Sequence, residues 1–112
     1  MGIRIQTGCT LQNPSDIIPA AECGFDYLEF MGKYLVSLSQ NELMSLQKKV
    51  KDFSVRVLGM NGYCPETLKM AGPGFDPESI RKYAVECAKR GAGLGAELVG
   101  IGTTKSRNLC GG

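Results

Sequence analysis

The sequence predicts an α/β fold, and three observations predict it. Short apolar or alternating runs recur at four places, helix-start signals separate them, and the connections are long enough for right-handed crossovers between parallel strands. Read in order, the chain is strand then helix three times, closing on a lone strand.

The first strand is expected at Ile3 to Thr7, an alternating run ended by Gly8. A short helix over Asp16 to Cys23 follows, capped by Ser15 and closed by Gly24; Pro19 argues for a start a residue or two later. GFDYLEF (24–30) has the aromatic and branched content of a second strand. SQNE (39–42) matches a capping box and opens a helix that places Leu43, Leu46 and Val50 on one face. Ser54 to Met60 reads as the third strand. Asp76 and Pro77 then pair an N-cap with a first-position proline, starting a helix to about Arg90 with a stripe of Ile80, Ala84, Cys87 and Ala88. Leu98 to Ile101 is the fourth strand.

Size and composition fit this reading. At 112 residues and 43% hydrophobic content, the chain is expected to form a single domain over 1–112. Its 13 basic and 11 acidic residues are dispersed, without the basic stripe that a nucleic-acid surface leaves, so no nucleic-acid partner is expected. Five cysteines, odd in number and without a CxxC, read as reduced thiols. MGIRIQTG lacks a signal-peptide core and no apolar run approaches a membrane span, so a cytoplasmic protein with no membrane partner is expected.

Strand parity then divides the residues between two faces. Leu28, Phe30, Val99 and Ile101 fall on a bulky face. Arg4, Gln6, Tyr27, Glu29, Gly59, Asn61, Gly100 and Gly102 fall on a small or polar one. With helices on the bulky face, the second set lines a concave surface like the inside of a (βα) barrel near its mouth. Two phosphate-loop patterns fail on context. GAGLGA (91–96) precedes a strand instead of following one, and GIGTTKS (100–106) has Thr104 where the glycine before the lysine belongs and no helix after it.

GFDYLEF, the loop NGYCPETLKMAGPGFDP and the closing GAGLGAELVGIGTTKSRN together resemble the sugar phosphate isomerase/epimerase superfamily, the xylose isomerase-like TIM barrels. The resemblance runs over essentially the whole chain, but only over the first four strands of an eight-stranded fold. It implies half of a (βα)₈ TIM barrel: about four parallel strands with three or four helices on one face. It also implies a divalent metal (Mn, Mg or Zn) bound by the half that is absent, because the family's ligands come from later strands. This chain has no histidine, and no cofactor is expected within it. Endonuclease IV belongs to the same superfamily; where it carries further zinc histidines this chain offers Asn61 and Gly102, which weakens a DNA-repair reading.

By the same resemblance Gln6, Glu29, Asn61, Lys105 and Arg107 line a sugar or sugar phosphate pocket, and no residue is assigned as catalytic. Each has a plainer role beside the functional one. Glu29 could pair with Arg4, Asn61 before Gly62 could shape a turn, and Lys105 with Arg107 could form a solvated loop. Cys64 has no histidine to activate it. A small anion is expected to sit near Lys105, Ser106 and Arg107. Two readings follow. One is the truncated or N-terminal half of a metal-dependent sugar phosphate isomerase or epimerase, inactive alone; the other is a non-catalytic half-barrel that self-associates or binds a sugar phosphate. Open edges at the first and fourth strands predict a homodimer or higher even-numbered assembly.

Overall fold

Parallel strands can be joined only by crossovers that return the chain to the same end of the sheet, and each connection here does so with helix. The computed structural model describes residues 4–109. Four strands, β1 (Gly8–Leu11), β2 (Tyr27–Met31), β3 (Val57–Asn61) and β4 (Leu98–Val99), form one parallel sheet in the order β1-β2-β3-β4. Helix α1 (Ile17–Glu22) links β1 to β2. Helices α2 (Gly32–Ser37) and α3 (Gln40–Asp52) link β2 to β3, and α4 (Pro77–Gly93) links β3 to β4. Short 3₁₀ turns occupy Pro14–Asp16 and Thr104–Arg107. This is the half-barrel arrangement the sequence predicts.

Two of the three helix-start signals act as read; Ser15 does not cap α1, because residues 14–16 form a 3₁₀ turn and α1 starts at Ile17 with no side-chain cap bond. Ser39 Oγ accepts from Glu42 N–H at 3.1 Å, and Glu42 returns a carboxylate to Ser39 N–H at 3.0 Å. Hydrogen bonds from Ser39, first its backbone N–H and then its side chain, hold the Glu42 carboxyl below its usual range. Asp76 caps α4 by accepting from the Ser79 hydroxyl at 2.6 Å and from Glu78 N–H at 3.2 Å, and its pKa is lowered chiefly by Ser79. Leu43, Leu46 and Val50 are buried against the sheet as their spacing demands. The core joins them to Leu11, Ile17, Leu28, Phe30, Leu35, Val57, Met60 and Cys87. On α4, however, Ala88 is exposed and Ala84 only half-buried, because no element covers that face beside β4 among the described residues.

Strand positions shift from the expected ones. The alternation IRIQT is not strand: residues 4–7 precede β1, which begins where Gly8 pairs with Tyr27, and Ile3 lies outside the described residues. Asp26 explains the shift. It ion-pairs Arg4, accepts from Thr7 N–H at 2.8 Å and donates its own N–H to Thr7 carbonyl at 2.7 Å, closing the chain into a loop below the sheet. Gly8 is required because a Cβ there would lie 2.1 Å from the Tyr27 ring.

The third strand begins at Val57, three residues late, because α3 ends in a Schellman turn. Ser54 takes φ 51°, donates to Lys51 carbonyl, and Val55 donates back to Val50 carbonyl. The same device explains GAGLGA. Gly91 and Gly93 belong to the last turn of α4, while Gly95 at φ 93° donates to Ala92 carbonyl and Ala96 donates to Gly91 carbonyl. These glycines terminate a helix. The fourth strand is also shorter than expected, since regular pairing ends at Met60–Val99 and Ile101 lies past it.

One buried cation ties the helices together. Arg90 donates from Nη1 to the carbonyls of Leu35 and Leu38, both at 2.6 Å, and from Nε to Glu86 at 2.7 Å. It thereby joins the end of α2 to α4, sharing the Leu35 carbonyl with Leu38 N–H at 3.3 Å and capping the Leu38 carbonyl beyond the helix.

Candidate functional site

At the C-terminal ends of parallel strands, side chains on the uncovered face converge while the backbone turns away into loops. Here three strands contribute one residue each. Thr10 and Glu29 are register partners on β1 and β2, and Asn61 ends β3. Asn61 Nδ2 donates to Thr10 Oγ1 at 2.8 Å and to Glu29 Oε2 at 2.9 Å. Both amide hydrogens are therefore engaged within the cluster. Asn61 Oδ1 and the second Glu29 oxygen remain as acceptors, beside the Thr10 hydroxyl, which can also donate. All three lie at the same end of the sheet, with Gly59 opposite Glu29 leaving the floor low. Such a set suits hydroxyl groups, and a fixed carboxylate can also accept a proton from a carbon or hydroxyl held against it.

The plainer role expected for Glu29 is corrected: Arg4 pairs with Asp26, and Glu29 is held by Asn61. Asn61 is likewise more than a turn former, although the turn exists, with Gly62 at φ 50° and Lys33 donating its backbone N–H to Gly62 carbonyl at 3.1 Å. Gln6 does not end a strand at the mouth. It precedes β1, at the opposite end of the sheet, where Arg56 reaches its amide oxygen at 3.5 Å. The cause is the Asp26 loop, which moves β1 along the sequence and puts Thr10 where Gln6 was expected. Thr10 was missed for that reason alone. The signal was present, since GCTL alternates as well as IRIQT does.

Lys105 and Arg107 both lie on the 3₁₀ turn after β4. Lys105 forms an exposed ion pair with Glu66 at 3.4 Å, and Arg107 donates from Nε to Gly102 carbonyl at 2.7 Å. Ser106, expected with them beside a small anion, is fully buried. Its hydroxyl donates to Pro65 carbonyl at 3.0 Å and accepts from the Cys64 thiol at 3.6 Å, while its carbonyl accepts from Met70 and Ala71 N–H. The segment is thus pinned to the loop after β3, and Cys64 serves that joint. The four described cysteines carry free thiols, and Cys110 lies outside the described residues.

Among the described residues no three His, Cys, Asp or Glu side chains come together as an ion would need, and the floor cluster offers one carboxylate. The metal implied by the resemblance does not fit these residues. No described helix is long and apolar enough to cross a membrane.

Comparison with known proteins gives the fold a reference. The structure resembles the crystal structure of 3-keto-D-glucoside 4-epimerase, YcjR, from E. coli in its apo form, with a TM-score of 0.60 at 20% sequence identity. The match covers 86% of this chain and 37% of the epimerase chain, so this chain spans well under half the length of that enzyme. No protein-family model and no curated protein matches the sequence.

Proposed function

We propose that the chain is the sugar-binding N-terminal half-barrel of an isomerase or epimerase of the xylose isomerase-like superfamily, working in the cytoplasm on a sugar or sugar phosphate. The observation that carries this is the Thr10–Glu29–Asn61 cluster, three polar side chains from three adjacent strands at the end where such folds bind ligands. The likeness of the fold to a sugar epimerase supports it. In this reading the cluster receives hydroxyls of the sugar, Glu29 accepts the strongest of those hydrogen bonds, and Asn61 fixes its rotamer. The metal-dependent proton transfer belongs to residues that this chain does not supply, so the chain alone binds without turnover. NMR titration with hexoses and ketoses tests this: resonances at Thr10, Glu29 and Asn61 should shift together. Asn61→Ala should weaken binding about tenfold or more, since it frees both neighbours at once. Wild-type affinity in that variant would refute the assignment.

A second reading, self-association, is favoured by the sheet edges. Among the described residues β1 and β4 each have a strand on one side only, both run parallel to the rest, and Leu98, Val99 and Ile101 are exposed beside β4. Two copies pairing β4 with β1 would close the sheet and face each other's clusters. Sedimentation should then show a species of twice the 12.0 kDa chain mass. Val99→Lys should return it to monomer, and a folded wild-type monomer at micromolar concentration would exclude this reading.

A further inference from the structure

Two of the four described cysteines stand outside the fully buried core, and the fold brings them to the same corner. Cys9 is the second residue of β1. Successive strand side chains alternate between faces, and Thr10 points to the floor cluster. Cys9 therefore points the other way, into the helix layer, where it packs half-buried against the core. The helix that follows, α1, buries Ile17 and Ala20 in that layer and is closed by Cys23, which is exposed. The chain then turns at Gly24, φ 81°, and Asp26 N–H reaches Thr7 carbonyl at 2.7 Å. That bond lays the segment just after Cys23 beside the segment just before Cys9.

Electrostatics reports the same proximity. Burial raises the Cys9 thiol above its ordinary value, and the charge of Cys23, then that of Asp16, raises it further. Cys64 and Cys87, by contrast, are 2% and 0% exposed and belong to the core.

We propose that Cys9 and Cys23 are a modification site, a dithiol that a small disulfide such as glutathione disulfide converts into an intramolecular bridge tying the end of α1 to β1. Cys23, the exposed thiol, reacts first. Its thiolate attacks one sulfur of the oxidant, forming a mixed disulfide and releasing one thiolate, which takes up the proton that Cys23 gave up. Cys9 then attacks the Cys23 sulfur, the Cys9–Cys23 bond forms, and the second small thiol leaves with the Cys9 proton. Two protein thiols are oxidised, and one small disulfide is reduced to two thiols. The bridge closes a loop of roughly 15 residues and restricts the unfolded chain, so the folded state gains.

Incubating the full chain with glutathione disulfide and digesting it without reductant tests this by mass spectrometry. The expected product is a peptide pair linked from Cys9 to Cys23 within one chain, with Cys64 and Cys87 unmodified. In urea, bridging should lower the unfolding equilibrium constant about a hundredfold, the effect of a loop of that length. Cys9→Ser should stop the reaction at a glutathione adduct on Cys23. Cys23→Ser should leave Cys9 reacting at least about tenfold more slowly than Cys23 does in the first variant, because the Cys9 thiol is partly buried and harder to ionise. A stable glutathione adduct on Cys23 of the wild-type chain, with Cys9 still free, would overturn the pairing. So would a bridge from Cys23 to any other cysteine, in the same chain or a second one. A Cys9–Cys23 bridge that lowers stability would also overturn it, since the fold would then have to distort to make the bond.

Discussion

Strands β2 and β4 carry the same kind of residue and have opposite fates. Leu28 and Phe30 are 2% and 0% exposed, whereas Leu98 and Val99 are 61% and 45% exposed. The difference is one of neighbours. β2 is flanked by β1 and β3 and covered by helices, while β4 has β3 on one side and nothing described on the other. In a parallel sheet, burial belongs to position in the order, and an apolar edge strand marks a surface that another chain segment can complete.

The comparison is broken most forcefully at Phe30. Replacing it by Ala should cost about 3–5 kcal/mol, while Leu98→Ala should stay within about 0.5 kcal/mol in a monomer, because only the first opens a cavity. Urea denaturation of the two variants measures the contrast; a loss at Leu98 as large as that at Phe30 would mean that β4 is covered in solution. Arg90→Ala comes next. It takes the charged donor from the Leu35 and Leu38 carbonyls, leaving Leu35 only its bond from Leu38 N–H, and about 3 kcal/mol should be lost. Arg90→Lys should recover only part, since an ammonium cannot span the same acceptors and Glu86 in one plane.

The smallest effect is that of pH. Glu42 and Asp76 are depressed below their ordinary values of 4.5 and 3.8 by hydrogen bonds at the starts of α3 and α4. A carboxylate depressed in the folded state contributes stability above its unfolded pKa and loses it as pH falls through the folded one. Stability should therefore decline below the ordinary carboxylate range, and Glu42→Gln, which removes the titrating carboxyl, should flatten the Glu42 share of that decline. An unchanged acid limb in Glu42→Gln would show that the capping box is not its source.

The signals legible in the sequence were those whose physics is local. Ser39 with Glu42, and Asp76 with Pro77, need only their own turn to form, and the spacing of Leu43, Leu46 and Val50 reports their own helix. Glu29 and Asn61 could be placed on one face because parity survives a small shift in strand boundaries. What was not legible depended on partners far along the chain. Asp26 decides that IRIQT is a loop, and with it that Thr10, not Gln6, completes the cluster. Nothing local to Ser106 reports its burial, because its acceptor, Pro65 carbonyl, lies 41 positions earlier.

Ser106 has a mechanical consequence. Its carbonyl holds Met70 and Ala71, and its hydroxyl holds Pro65, so the loop after β3 and the turn after β4 share one rivet. Neither can lift without breaking the same bonds. Deuterium uptake at the Met70 and Ala71 amides should therefore rise and fall with uptake at the Ser106 amide as a single opening unit, and anything that tightens one rim will slow exchange in the other.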